Sequence, residues 1–498
     1  MKRAAAVAPD VPSTREALDR VLTRLHADQV VPARPRPAPG QPAPPHHQDT
    51  PTRIGENRLD SETVDWAEVV VMRRRASERM TDSFTAWEAE NRRPLPSEDR
   101  RMLGRSVIGQ IVRERAEELA SSGRALWSPV DEANYRLALD SAIFGYGRLQ
   151  PVFDISDAEN IEIHGWDSVV VQHTDGRRTN HAPLADSDDE LVEAVRFLGE
   201  TATPPRPFDD AHPMMTIALG NQFRLHAIGF GLSYRPSIII RRHLLTEVTL
   251  EQLAAGSMMP ASVAQLLRAG VLARKSMVIS GDQGAGKTTL LRALIDAIPA
   301  SERFGTLETD YELLTHLQPS RRNILALQAR VGLGEHSSGR SLGEWTVADL
   351  IPEALRQNLS RLIVGEVRGE EAGALFQAMQ SGAGSLSTTH SHSATSTIDR
   401  LASRVAQGGL ITIPEAYRQI AHNLHFLIHV RLVDDTWRGG ARYRYISEIR
   451  TLTGGLEDGR PVTHLLYQSA ERGREAVLNP EASLMDELAE FLPAAGWS

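Results

Sequence analysis

One segment restricts the possible folds of this chain more than any other. Residues 276–298 read SMVISGDQGAGKTTLLRALIDAI: an apolar run, a glycine-rich turn and a segment of helical character. Gly281, Gly286, Lys287 and Thr288 fill every fixed position of G-x-x-x-x-G-K-[ST]. A buried strand that passes through such a turn into a helix predicts a mostly parallel sheet covered by helices. The glycines let backbone N–H groups converge on an anion, and the helix N-terminus adds partial positive charge. In this reading Lys287 reaches the outer phosphates of a nucleotide and the Thr288 hydroxyl ligates Mg2+.

The basic residues support the motif independently. Of 55 Lys and Arg residues only Lys2, Lys275 and Lys287 are lysines, which leaves 52 arginines. A chain that writes arginine almost everywhere keeps lysine in the loop. A compact ammonium fits among phosphates enclosed by backbone; a planar guanidinium with five donors does not.

Composition removes several function classes. The net charge of -9 argues against a protein whose main task is gripping nucleic acid. Cysteine is absent, which excludes disulfides and thiolate metal sites and fits a cytosolic protein. No long uncharged apolar run predicts a membrane span, and the start MKRAAAVAPDVPST lacks the apolar core of a signal peptide. No Asn-Lys-x-Asp base-reading motif exists, since Lys275 follows Arg274, so a GTPase is not expected.

At 498 residues there is room for two or three domains. Residues 1–58 read as a disordered, Pro-rich tail carrying a short amphipathic helix: Ser13 and Glu16 form a capping box, and Leu18, Val21, Leu22 and Leu25 share a face. That helix either docks to a partner or packs on its own chain. Residues 59–145 read as a helical bundle, 146–242 as a small α+β domain, 243–260 as a linker and 261–498 as the nucleotide domain.

Three further motifs lie beyond the loop. RLIVGEVRG places Glu366 just past a buried strand, at the edge where parallel sheets bind ligands. TLETDYELL puts Glu308, Asp310 and Glu312 at alternate positions, on one side of an extended segment. Three such carboxylates require a cation or an arginine nearby; the competing reading is a solvated acidic turn. GSLSTTHSHSATS brings His390 to a strand end, within reach of a phosphate, and His392 two residues on as a contact or a capping histidine.

The ordered set of glycine-rich loop, TLETDYEL, LIVGEVRG and GSLSTTH resembles the type II/IV secretion-system ATPases. It is most similar to the CpaF-like motors of Flp/Tad pilus assembly, relatives of the conjugation ATPases. GYGRLQPVFD, FRLHAIG and SIIIRR extend the likeness over about residues 140–450. The resemblance implies an α/β fold: a RecA-like P-loop NTPase domain preceded by a small α+β, PAS-like domain. It implies that Gly281, Gly284, Ala285, Gly286, Lys287, Thr288 and Thr289 contact ATP, with Mg2+ held by Thr288 and Glu366. Glu366 then polarises the attacking water. Glu312 belongs to the acidic box and His390 to the histidine box, while Arg224 and Arg241 present positive charge to the nucleotide, with Arg242 a rival to Arg241. The family usually reads Glu-Asp-x-x-Glu-Leu where this chain has ETDYEL, with Thr309 in the Asp position. Either Asp310 carries the role one residue later, or Glu308 or Glu312 does.

The resemblance further implies a homo-hexameric motor at the inner face of the cytoplasmic membrane. It works on inner-membrane platform proteins of a pilus or secretion system, without inserting into lipid. Two other readings are a nucleic-acid-translocating ring motor and a regulatory scaffold that binds nucleotide with little turnover. The acidic balance counts against the first, and the altered acidic box favours the second.

Overall fold

The computed structural model describes residues 64–492, apart from short stretches at 124–125, 203–204, 221, 244–246, 319, 331, 333–335, 338–339, 368, 370, 381–383, 408–410 and 471–475. The tail, with its expected helix at 13–25, and Arg368 of the GEVRG motif lie outside the described residues.

Three helices, Trp66–Asn91, Ser97–Ser121 and Pro129–Phe144, come first. Asp65 caps the first, and Ser128 with Asp131 forms a capping box ahead of Pro129 on the third. Val69, Met72, Ala76 and Met80 recur at helical spacing and pack against Val107, Ile111, Ala138 and Leu139.

A six-stranded antiparallel sheet follows: β1 (Ala158–His164), β2 (Val169–His173), β3 (Arg178–His181), β4 (Met214–Leu219), β5 (Phe223–Ile228) and β6 (Ser237–Arg242), in the order β3-β2-β1-β6-β5-β4. Ile161, Ile163, Leu225, Ala227, Ile238 and Ile240 form its buried side, joined by Leu191, Val195 and Leu198 of the helix Asp188–Thr201. Successive strand residues alternate in direction, so Arg224 and Arg241, which pair across β5 and β6, share the opposite face. Strand β3, Arg-Thr-Asn-His, escapes a pattern-based reading because it is a polar edge strand with nothing to bury.

Within the stretch expected as linker, Leu250–Ala255 is a helix with a Thr249–Gln252 capping box. Its Leu250 and Leu253 belong to the core of the second sheet. That sheet has nine strands: β7 (Met277–Gly281), β8 (Phe304–Glu308), β9 (Ile324–Gln328), β12 (Arg361–Val364), β13 (Leu386–His390), β14 (Phe426–Asp434), β15 (Arg442–Glu457), β16 (Arg460–Gln468) and β17 (Val477–Leu478). A two-residue hairpin, β10 (His336–Ser337) and β11 (Arg340–Ser341), stands apart. The order is β17-β16-β15-β14-β7-β13-β12-β8-β9. Strands β14, β7, β13, β12, β8 and β9 are mutually parallel, and β15, β16 and β17 continue antiparallel.

The parallel part matches the sequence expectation, because β7, β8 and β12 are buried at every residue and read as apolar runs. The antiparallel part was not foreseen. Strand β15 buries only Ile446, Ile449 and Thr451 among half-buried and exposed residues and carries Arg442, Arg444 and Arg450, so its apolar signature is weak. Parallelism brings the carboxyl ends of β7, β8, β12 and β13 to one edge. The glycine-rich loop, Glu308, Glu366 and His390 gather there from four segments of sequence.

Candidate active site

The loop after β7 has a conformation that its glycines alone allow. Gly281, Gly284 and Gly286 have φ of 152°, 74° and 94°. A Cβ on Gly281 would collide with the Val430 carbonyl of β14, and one on Gly286 would sit 3.3 Å from Cδ of Arg444. Gly286 caps the helix Lys287–Asp296, whose first turn carries Lys287, Thr288 and Thr289. Ala285 is fully buried beneath the loop. The backbone is thus folded tightly at a helix N-terminus, the setting in which N–H groups can converge on a phosphate.

Lys287 is buried, and its Nζ lies 3.0 Å from the Gly281 carbonyl, 2.9 Å from the Asp282 carbonyl and 3.3 Å from His390 Nδ1. An ammonium has three protons and can only donate. His390 Nδ1 must therefore present its lone pair, which puts the ring proton on Nε2. That nitrogen stands 3.1 Å from Glu366 Oε1. One chain of polar contacts thus links the loop lysine, the histidine at the end of β13 and the carboxylate past β12.

The acidic segment is built differently from the expected extended run. Strand β8 ends at Glu308 and the chain bends at Thr309 and Asp310. Glu308 is buried, and its Oε1 accepts the N–H groups of Glu312 (2.9 Å) and Leu313 (2.8 Å), which folds the segment back over it. Gly365 lies directly above; a Cβ there would be 3.0 Å from Glu308 Cγ. Asp310 and Glu312 turn instead to Arg224, which reaches over from β5 of the small sheet. Its Nη2 is 2.8 Å from Asp310 Oδ2 and its Nη1 pairs with Glu312. Two of the three carboxylates thus meet an arginine, by a turn and not by strand alternation, while Glu308 is held by backbone N–H groups instead. Arg224, Thr288, Glu308, Thr309, Asp310, Glu312, Gly365 and Glu366 line one cleft.

Strand geometry sends Arg241 and Arg242 to different surroundings. Arg242 turns into its own domain, donating to the Ile155 carbonyl at 2.6 Å with its guanidinium over the Phe223 ring. Arg241 lies beside Arg224 and acts electrostatically on His243, Arg292 and Arg444. His392 is an exposed residue 3.5 Å from Asp282 and outside the polar chain. Among the described residues no cluster of three or more His, Asp or Glu side chains forms a ready-made metal site. Thr288 offers a hydroxyl and Glu366 a carboxylate to the same cleft, oxygen donors of the kind Mg2+ takes.

The sequence model described as type II/IV secretion system protein matches residues 195–464, more than half of the chain. The chain belongs to that family.

Similar proteins include Rv3659c of Mycobacterium tuberculosis, whose name refers to conjugal transfer: 31% identity over 331 residues, covering 64% of this chain and 88% of that one. Protein VirB11 of Agrobacterium fabrum is 36% identical over 125 residues, 25% of this chain and 33% of its own. Among solved structures, the pilus retraction motor PilT with bound ADP aligns over 69% of this chain and 86% of its own at 18% identity, with a TM-score of 0.44. Among the described residues of this type II/IV secretion family chain, no helix is long and apolar enough to cross a membrane.

Two basic residues beside the site, Arg292 and His243, were not legible in the sequence. Arg292, on the helix after the loop, is buried and donates through Nε to the Glu312 carbonyl at 3.2 Å. Burial lowers its pKa to about 10. Burial lowers that of His243, at the end of the small sheet, to about 4. In a chain with 52 arginines an arginine carries no signal by itself; its place in the apolar run LLRALI was the available clue.

Glu308 bears the largest consequence of burial, which raises its pKa to about 8 against the opposing pull of its two N–H donors. Between the ordinary carboxylate range and about 8, the folded chain keeps a proton here that the unfolded chain has released. This stabilisation is complete at acid pH and is lost as the pH rises through about 8. Glu308→Gln keeps an acceptor for both N–H groups and places an amide where Oε2 has no hydrogen-bond partner among the described residues. From about pH 6 to about pH 9 the melting temperature of the unaltered protein is expected to fall by a few degrees more than that of Glu308→Gln. Parallel pH profiles in thermal unfolding would refute the assignment.

Proposed function

We propose that this chain is an ATP-hydrolysing motor of the CpaF-like kind. In this reading it is a hexamer with a RecA-like nucleotide domain and a PAS-like domain before it. It powers pilus assembly or protein secretion from the cytoplasmic face of the inner membrane, against platform proteins embedded there. The observation that carries the reading is the cleft, where the large-sheet domain supplies Thr288 at the start of the loop helix, Glu308 and Glu366, and the small sheet supplies Arg224, which pairs with Asp310 and Glu312. A site split between two domains couples its occupancy to their relative position, which is what a mechanical cycle needs.

The residues divide the work. The loop from Gly281 to Gly286 and the amides of Lys287, Thr288 and Thr289 hold the phosphates. Lys287 exchanges its carbonyl partners for phosphate oxygens. Thr288 and Glu366 would hold Mg2+, which when bound would neutralise charge on those oxygens. Glu366, oriented by His390, accepts a hydrogen bond from the attacking water. Asp310 and Glu312 hold Arg224 and, with Arg241 beside it, set how much positive charge the small sheet presents to the nucleotide.

Steady-state ATP hydrolysis by the purified chain, with oligomeric mass read on the same samples and with detergent-solubilised platform protein added, tests the proposal. Turnover by a hexamer, raised by the platform, is the expected result. Binding without turnover in every assembly points to the scaffold reading, and stimulation by DNA at physiological salt to a nucleic-acid motor.

A further inference from the structure

A second bridge joins the two sheets, on the far side of the glycine-rich loop from Arg224. Arg444 of β15 donates from Nε to the Gly284 carbonyl at 2.7 Å. Its Nη2 donates to Glu159 Oε1 on β1 of the small sheet at 2.6 Å. Glu159 is buried, at 8% exposure, and its other oxygen pairs with Arg442, whose Nε lies 3.1 Å from Asp434. Burial weakens Arg444's hold on its proton and the charge of Glu159 opposes that loss. Neither residue belongs to the motifs that define the site.

The contact falls on the softest part of the loop. Gly284 has φ of 74°, next to the trans peptide that joins it to Ala285. In a trans peptide the C=O and N–H point in opposite directions, so a guanidinium fixed on the Gly284 carbonyl also fixes where the Ala285 N–H points. That N–H turns into the loop, 3.3 Å from the Asp282 carbonyl. Arg444 also lies against Gly286, where the helix begins. Without a donor on the Gly284 carbonyl, glycine leaves the peptide free to rotate, and the phosphate cradle loses a preset amide.

We propose that Glu159, Arg444 and the Gly284 carbonyl form a strut through which the position of the small domain sets the affinity of the loop for nucleotide phosphate. Arg444 is a positioning residue for the loop, and Glu159 positions Arg444. With Glu159 in place the loop is pre-organised for phosphate; when the small domain moves away, Arg444 loses its anchor and the loop relaxes. By linkage, nucleotide in the loop draws the small domain toward the strut to the same extent. The inference rests on the proposed reading of the loop as a nucleotide site.

The test is a double-mutant cycle on the full chain, read as affinity for a fluorescent N-methylanthraniloyl ATP. Arg444→Ala and Glu159→Ala are each expected to weaken binding about 5- to 10-fold, and the double variant no more than Arg444→Ala alone. Glu159→Gln keeps an acceptor without the charge and is expected to fall between Glu159→Ala and the unaltered chain. It also carries the test if the alanine variant fails to fold. Independent losses that multiply in the double variant would mark two merely structural defects and overturn the strut. So would unaltered affinity in the folded Glu159 variant, while the unaltered chain binds and Lys287→Ala does not. A chain that binds no nucleotide at all would overturn the reading of the loop and the strut with it.

Discussion

Lys287→Ala is expected to abolish ATP turnover and to weaken nucleotide binding at least about 30-fold, the loss of one charge-assisted phosphate contact. Lys287→Arg is expected to be equally inactive. Nζ faces three acceptors, the carbonyls of Gly281 and Asp282 and Nδ1 of His390, within 2.9–3.3 Å. Three acceptors converging on one atom suit the tripod of an ammonium. A guanidinium spreads its donors in a plane and is longer, so it cannot reach the same three and would press on a loop already closed against Val430. The arginine variant is the more telling, because charge is kept. Equilibrium binding and turnover, checked against an unchanged melting curve, decide it. Recovery of activity by arginine would show that charge alone is required and would remove the meaning of the lysine's isolation in the sequence.

Glu366→Gln is expected to reduce turnover by about 100- to 1,000-fold, the range for losing a positioned proton acceptor. Binding of ATP is expected to change by less than about threefold. Glutamine keeps the length of the side chain and a carbonyl oxygen near His390 Nε2, so His390 and Lys287 keep their places. Only the charge that would polarise a water is lost. A parallel loss of affinity would show that the hold of Glu366 on Mg2+, which Thr288 would then have to supply alone, outweighs its contact with the water. Single-turnover measurements with saturating ATP separate the two outcomes.

The site shows where sequence pattern is a sufficient guide and where it is not. The loop was legible because each glycine occupies a backbone position that other residues cannot adopt, and because Lys287 stands alone. Glu366 was legible because it follows a short buried strand with an apolar core of Leu362, Ile363 and Val364, and His390 because it ends a buried strand of the same parallel sheet. The acidic segment was legible only in part. Alternation was the wrong geometry, since the strand stops at Glu308 and the chain curls over it, with Asp310 and Glu312 both on Arg224. With threonine at 309, Asp310 and Glu312 still bring two carboxylates to one arginine. The bridges to the small sheet could not be read at all. Glu159 and Arg444 are 285 residues apart, and nothing local marks either. Helix and strand identity came from periodicity; the contacts between domains depend on which faces the fold brings together.

The hairpin between β14 and β15 has a mechanical consequence. Strand β14 is laddered to the loop strand β7 over five residues, Phe426–Val430 against Met277–Gly281. Beyond that ladder it runs on to Asp434, where the hairpin returns as Arg442, close enough to the small sheet that a Cβ on Gly176 would strike Arg442 and Thr436. A pull on the small sheet along this arm would load the β14–β7 ladder lengthwise. All its hydrogen bonds then share the force at once, instead of opening one after another from an end. The strand beneath the glycine-rich loop is thus gripped where it resists best, and stress arriving from outside would reach that loop without unzipping the sheet that holds it.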